Sequence, residues 1–288
     1  MNTEIWPAID QHPVPAWSTA EFPSSEPCED LLPDDPKGPR FHLLGLLQVI
    51  HNGVGHGPTA PKIRQLLAML LLRPNRVVEV DTIAHELWAD QPPRSARTTI
   101  QTYVYQLRRM FERSGLAANG DEMLLTRTPG YLLRVDPERI DVVIFRRLLQ
   151  QGREHLRNEQ YDQAAAVLRR ALALWSGPPL ADVDCGPYLS AQVLDLMEQR
   201  RNAHHLRIEA DIAIGLHREL VGELRSLVAT NPFDEGLHAQ LIRVLERSGR
   251  RNDALVAYRN LRATLNRELG LEPCAELQRL HRELLSVG

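Results

Sequence analysis

The strongest constraint on how this chain folds lies in residues 94–113. Their apolar positions Ile100, Val104, Leu107 and Phe111 are spaced four, three and four apart, the signature of one buried helix face. The opposite face carries Arg97, Thr98, Gln101, Thr102, Tyr105, Gln106, Arg108 and Arg109. With Arg94 and Arg113, the stretch holds five arginines against one acid, Glu112. An ordinary surface helix interleaves Glu and Arg at i,i+4 spacing; this one does not. Arg, Gln, Thr and Tyr are the side chains that grip phosphates and read base edges. The fold must therefore supply a core on one side of this helix and leave a cationic face open on the other.

Charge along the chain sharpens that reading. The formal net charge of −3 is small. It conceals eight acids and a single base, Lys37, in residues 1–39, followed by twelve bases and seven acids in residues 40–135. Such a separation points to a polyanionic partner for the second block.

Residues 1–39 are rich in Pro, Ser and acids and show no period of 2 or 3.6, which predicts a disordered acidic leader. Residues 41–57 read as short strands with glycine turns at Gly53, Gly55 and Gly57. Helices are predicted over 60–72, 80–88 and 94–113, the second with Asp81 or Thr82 available as a cap. Residues 123–135 read as two strands around a Thr128-Pro129-Gly130 turn. From about Asp141 the chain is almost all amphipathic helix, and Ala164-Ala165-Ala166 leaves room for close packing. Tyr161-Asp-Gln-Ala164, Arg218-Glu-Leu-Val221 and Arg251-Asn-Asp-Ala254 echo one another. The last two are spaced close to the ~34-residue helix-pair repeat, which predicts a tetratricopeptide-like array. The expected class is mainly α with small β-sheets.

Phe41-x-Leu-Leu-Gly45, Leu87-Trp88, the 97–109 helix and Thr126-Arg-Thr-Pro-Gly-Tyr131 together resemble the winged helix-turn-helix of OmpR/PhoB-type response regulators. Behind it stand Leu174-Trp-Ser-Gly-Pro-Pro-Leu180 and Asp253-Ala-Leu-x-x-Tyr258. The whole is similar to the Streptomyces antibiotic regulatory protein family, activators of antibiotic and secondary-metabolite gene clusters. The resemblance spans about residues 40–285. It implies a winged helix-turn-helix over 40–135 and a helical-repeat bacterial transcriptional activation domain over 136–288, behind the leader at 1–39.

The same resemblance implies roles for single residues. Thr102 and Gln106 match base-facing positions. Arg94, Arg97, Thr98, Tyr105, Arg108 and Arg109 match positions near phosphates or the groove edge, and Arg127 matches a wing residue that reaches into the minor groove. Thr59, Lys62 and Arg64 flank the first helix as further candidates for backbone phosphates. RNA polymerase would be contacted by the helical-repeat domain or by the loop with Trp88, Asp90 and Gln91, which matches the one that contacts polymerase in related winged helices. Implied partners are double-stranded promoter DNA with direct repeats, bound as a dimer, and the sigma C-terminal region and alpha C-terminal domain of RNA polymerase.

Other classes are weakly represented. No phosphate loop, GxSxG elbow or HExxH motif occurs. Cys28, Cys185 and Cys274 lie far apart, and His204-His205 would diverge by about 100° on a helix, a poor metal pair. Neither a catalytic role, a cofactor nor a metal is expected. With no secretory signal pattern and no apolar run of membrane-spanning length, the expected location is the cytoplasm, in association with the nucleoid. A pure interaction scaffold and a ligand-gated regulator remain as alternatives.

Overall fold

A computed structural model of the protein describes residues 38–286. The expected leader lies outside these residues except for Gly38 and Pro39. Two compact units are present among the described residues, one ending at Leu216 and one beginning at His217.

The first unit opens with an antiparallel sheet of β1 (Arg40–His42), β2 (Gln48–His51) and β3 (Val54–His56). Helices α1 (Pro61–Leu71), α2 (Val80–Trp88) and α3 (Ala96–Arg113) follow. A second sheet, ordered β4-β6-β5, combines Val77–Glu79 (β4) with the hairpin of β5 (Leu124–Arg127) and β6 (Gly130–Leu133). The hairpin and the three helices match expectation to within a few residues. Strand β4 and the short helix α4 (Gly120–Met123) were not legible, being three and four residues long. The cap of α2 also differs: Glu79 occupies the N-cap position, and no side chain closes the cap.

Periodicity explains the packing. Ile100, Val104, Leu107 and Phe111 are at most 2% exposed. They meet Ile63, Leu66, Leu67 and Leu70 of α1 and Ile83 and Leu87 of α2 in one core. At the wing, a Cβ on Gly130 would lie 1.8 Å from the Val78 carbonyl oxygen. Only glycine lets β6 cross β4 so closely.

Three more helices, α5 (Asp141–Arg157), α6 (Tyr161–Ala173) and α7 (Pro187–Ala213), complete this unit. Gly152 faces Leu168, and Ala164 and Ala165 are fully buried while Ala166 is exposed. These helices share a core with the winged helix.

Carboxylates and backbone bonds stitch the seam. Asp141 Oδ2 accepts from the Leu43 and Leu44 N–H groups at 2.8 and 2.9 Å. Its Oδ1 accepts from Val142 N–H at 2.7 Å. Asp182 accepts from Leu47 N–H at 2.8 Å and pairs with Arg64. Glu86 on α2 accepts from Gly186, Tyr188 and Leu189 N–H at the start of α7. The Leu174–Leu180 motif has a local explanation: Ser176 and Leu180 donate to the carbonyls of Leu44 and Leu43, and Ala181 donates to Gly45. A Cβ on Gly45 would sit 1.9 Å from Ser176 Oγ.

The second unit packs α8 (His217–Thr230), α9 (Glu235–Arg247), α10 (Arg251–Leu269) and α11 (Ala275–Ser286). Leu224, Ile242, Leu261 and Leu277 are among its buried residues, and Tyr258 stacks on His281 with ring centroids 4.0 Å apart. The echoed segments open α6, α8 and α10, as a helix-pair repeat requires. No helix among the described residues is long and apolar enough to cross a membrane.

Candidate nucleic-acid interface

Helix α3 presents the open face its sequence demands. Arg97, Thr98, Gln101, Thr102, Tyr105, Gln106, Arg109 and Arg113 are exposed. Tyr105 is 62% exposed, unusual for a large aromatic ring. Tyr103 is instead half-buried against the core. The Thr102 hydroxyl donates to the Thr98 carbonyl at 3.0 Å, which leaves its lone pairs and methyl group outward.

The first turn of α3 contains no acid and its N-cap makes no side-chain bond, so Arg94 and Arg97 add their charge to the positive end of the helix dipole. Arg97 lies 3.4 Å from Asp81, but both side chains are about four-fifths exposed, so the pair is weak. Arg109 bonds Glu112 at 2.8 Å. Among the described residues, Arg94, Arg113 and Arg127 make no ion pair or side-chain hydrogen bond. Arg127 ends β5, opposite Gly130, and is exposed.

Arg108 departs from the expectation of a guanidinium free to meet DNA. It turns back onto the hairpin, where Nη1 meets Asp121 at 2.7 Å, Nε donates to the Leu124 carbonyl and Nη2 to Thr126 Oγ1, both at 2.9 Å. Lys62 and Arg64 also turn inward. Lys62 Nζ donates to the Leu87 carbonyl at 2.6 Å, and Arg64 serves Pro58, Leu47 and Asp182. Thr59 is exposed. The loop from Ala89 to Ser95, with Asp90 and Gln91, is exposed throughout, while Trp88 packs half-buried on the core.

Residues 140–285 match the family described as bacterial transcriptional activator domain, and residues 58–133 match that of the transcriptional regulatory protein, C terminal. The regulatory protein DnrI of Streptomyces peucetius is 42% identical over 249 residues, 85% of this chain and 92% of that protein. The chain belongs to the Streptomyces antibiotic regulatory protein family. The regulatory protein AfsR of Streptomyces coelicolor is 33% identical over 249 residues, 86% of this chain but only 24% of its own length. The solved structure of Mycobacterium tuberculosis EmbR, in complex with a low affinity phosphopeptide, superposes with a TM-score of 0.81 at 34% identity. That match covers 86% of this chain and 65% of the EmbR chain. Like the rest of the Streptomyces antibiotic regulatory protein family, this chain is a DNA-binding transcriptional activator, a winged helix-turn-helix followed by a helical domain.

Proposed function

We propose that the chain binds promoter DNA at two direct repeats as a head-to-tail pair and recruits RNA polymerase there. Helix α3 enters the major groove. Thr102 and Gln106 read base edges; Arg94, Arg97, Thr98, Tyr105 and Arg109 hold phosphates or the groove edge; Arg127 reaches the adjacent minor groove. The observation that carries this reading is the exposed face of α3, where Thr102, Tyr105 and Gln106 stand between cations at both ends with only Glu112 as an acid on the helix.

Polymerase engagement falls to the exposed loop after α2. Asp90 and Gln91 offer the contacts and Trp88 anchors the loop to the core. The partners are the sigma C-terminal region and the alpha C-terminal domain. Holding polymerase beside a weak promoter raises its effective local concentration without changing the promoter's own contacts.

The test is transcription in vitro from a promoter carrying the repeats, with full-length protein and the Asp90→Ala/Gln91→Ala variant at equal DNA occupancy. The variant is expected to bind but activate poorly. Equal activation by both proteins contradicts the loop assignment.

A further inference from the structure

Arg108 sits on α3 between residues assigned to DNA, yet its side chain is only 20% exposed. Every guanidinium nitrogen is committed: Nη1 to Asp121, Nε to the Leu124 carbonyl and Nη2 to Thr126 Oγ1. These partners span α4 and β5, the stretch leading directly into Arg127. Their own positions are fixed independently. The Asn119 side chain accepts from Asp121 N–H at 3.0 Å, and Glu112 Oε1 accepts from Gly120 N–H at 3.1 Å. Beyond Thr126, Arg127 is paired in register with Gly130.

A planar fork with fixed donor directions locks three acceptors at once, which an ammonium on a flexible stem does not do. Swinging the fork outward to a phosphate would break all three bonds and leave the Asp121 carboxylate unpaired.

From this geometry we infer that Arg108 is a positioning residue: it braces the wing against α3 at the spacing that lets Arg127 enter its groove while α3 occupies the next one. The inference rests on the reading of α3 and Arg127 as DNA contacts. Phosphate charge is then supplied by Arg94, Arg97 and Arg109, with Arg127 adding its charge in the minor groove.

The experiment uses the full chain and a DNA duplex selected by it from random sequence. Affinity is read by fluorescence anisotropy across a salt series, with thermal unfolding of every variant alongside. Arg108→Lys keeps the charge and loses the fork, so it is expected to bind as weakly as Arg108→Ala. Asp121→Asn removes a negative charge from the vicinity of DNA and is nevertheless expected to weaken binding. Its side chain is 63% exposed, so folding should survive the change. In an Arg127→Ala background, Arg108→Ala is expected to cost no more than about twofold, the scatter of non-interacting sites, with no further change in salt slope.

Rescue by Lys, tighter binding by Asp121→Asn, or a further slope loss of about 0.9 in the Arg127→Ala background would each overturn the inference in favour of a phosphate contact. If Arg127→Ala alone changes neither affinity nor slope, the wing reading fails and the positioning role falls with it. If Arg127→Ala weakens binding but the two substitutions add, the wing reading stands and the Arg108 inference alone fails.

Discussion

The Glu86 carboxylate accepts a hydrogen bond from the Tyr188 backbone N–H at 2.8 Å, tying α2 of the winged helix to the first turn of α7. A carboxylate at a helix N-terminus meets both unsatisfied N–H groups and the positive end of the dipole. Glu86 is 2% exposed and also receives Gln65 Nε2 at 3.1 Å. Residues 40–135 alone would carry this carboxylate with its three α7 partners removed.

A fragment of residues 38–216 is therefore expected to fold and bind DNA, whereas one ending at 135 is expected to be less stable by several kcal/mol. The shorter fragment exposes to water the apolar seam it shares with α5–α7, and it also loses the Glu86 bonds to α7 and the Asp141 bonds to Leu43 and Leu44, each contributing about 1 kcal/mol. Urea unfolding of the two fragments checks this. Equal midpoints would show that the seam is dispensable.

The sequence marks 40–135 as the winged helix-turn-helix but not the seam that ties it to the following helices, and the reason is physical. Periodicity reports which face of an element is buried, and here it is right for Ile100, Val104, Leu107 and Phe111. It is silent on which partner a polar side chain finds at a distance of 97 or 102 residues, as Asp141 does with Leu44 and Glu86 with Tyr188. Arg108 shows the same limit. Its helical position falls near the exposed face, but a long side chain decides its environment by where its tip goes. Asp182 is another case: nothing local in the sequence shows that it accepts from Leu47 N–H and pairs with Arg64. The strand β4 is invisible for another reason: three residues are too few for any alternation to register.

Asp141 gives the fold a pH signature. Burial pushes its carboxyl up to about 7, against three backbone N–H bonds that pull it down. The stability it contributes is present below the unfolded pKa near 4 and is lost as pH rises through 7. Neighbouring His42 is held below its ordinary pKa by burial and Arg40, and acts in the opposite direction. The difference between wild type and Asp141→Asn isolates the carboxyl. Denaturant unfolding from pH 4 to 8 is expected to show the wild type losing stability relative to the variant as pH rises. A constant difference across that range excludes the assigned titration.

Gly130→Ala is expected to destabilise the first unit by about 1–3 kcal/mol, the range for overpacking a filled site, because the new Cβ would overlap the Val78 carbonyl oxygen. The wing should part from β4 and DNA affinity should fall with it. Calorimetric unfolding beside a binding titration checks both, and a variant with wild-type melting would contradict the close crossing.

Half-site geometry makes its own demand. A head-to-tail pair places its repeats about one helical turn, ~10–11 bp, apart. An insertion of about five base pairs, half of that turn, should abolish cooperative binding. Cooperativity that survives the insertion would argue against the paired arrangement.

The most direct measurement is a base-by-base substitution scan of the selected DNA site, read by affinity for wild type and Gln106→Ala. Gln106 is exposed mid-helix, about 100° around the helix from buried Leu107. The expected loss is about 1–3 kcal/mol on the preferred sequence, with preference relaxed at one position in each repeat and retained at the others. A uniform loss across all sequences, or no loss, would contradict the assignment of α3 as the base-reading helix.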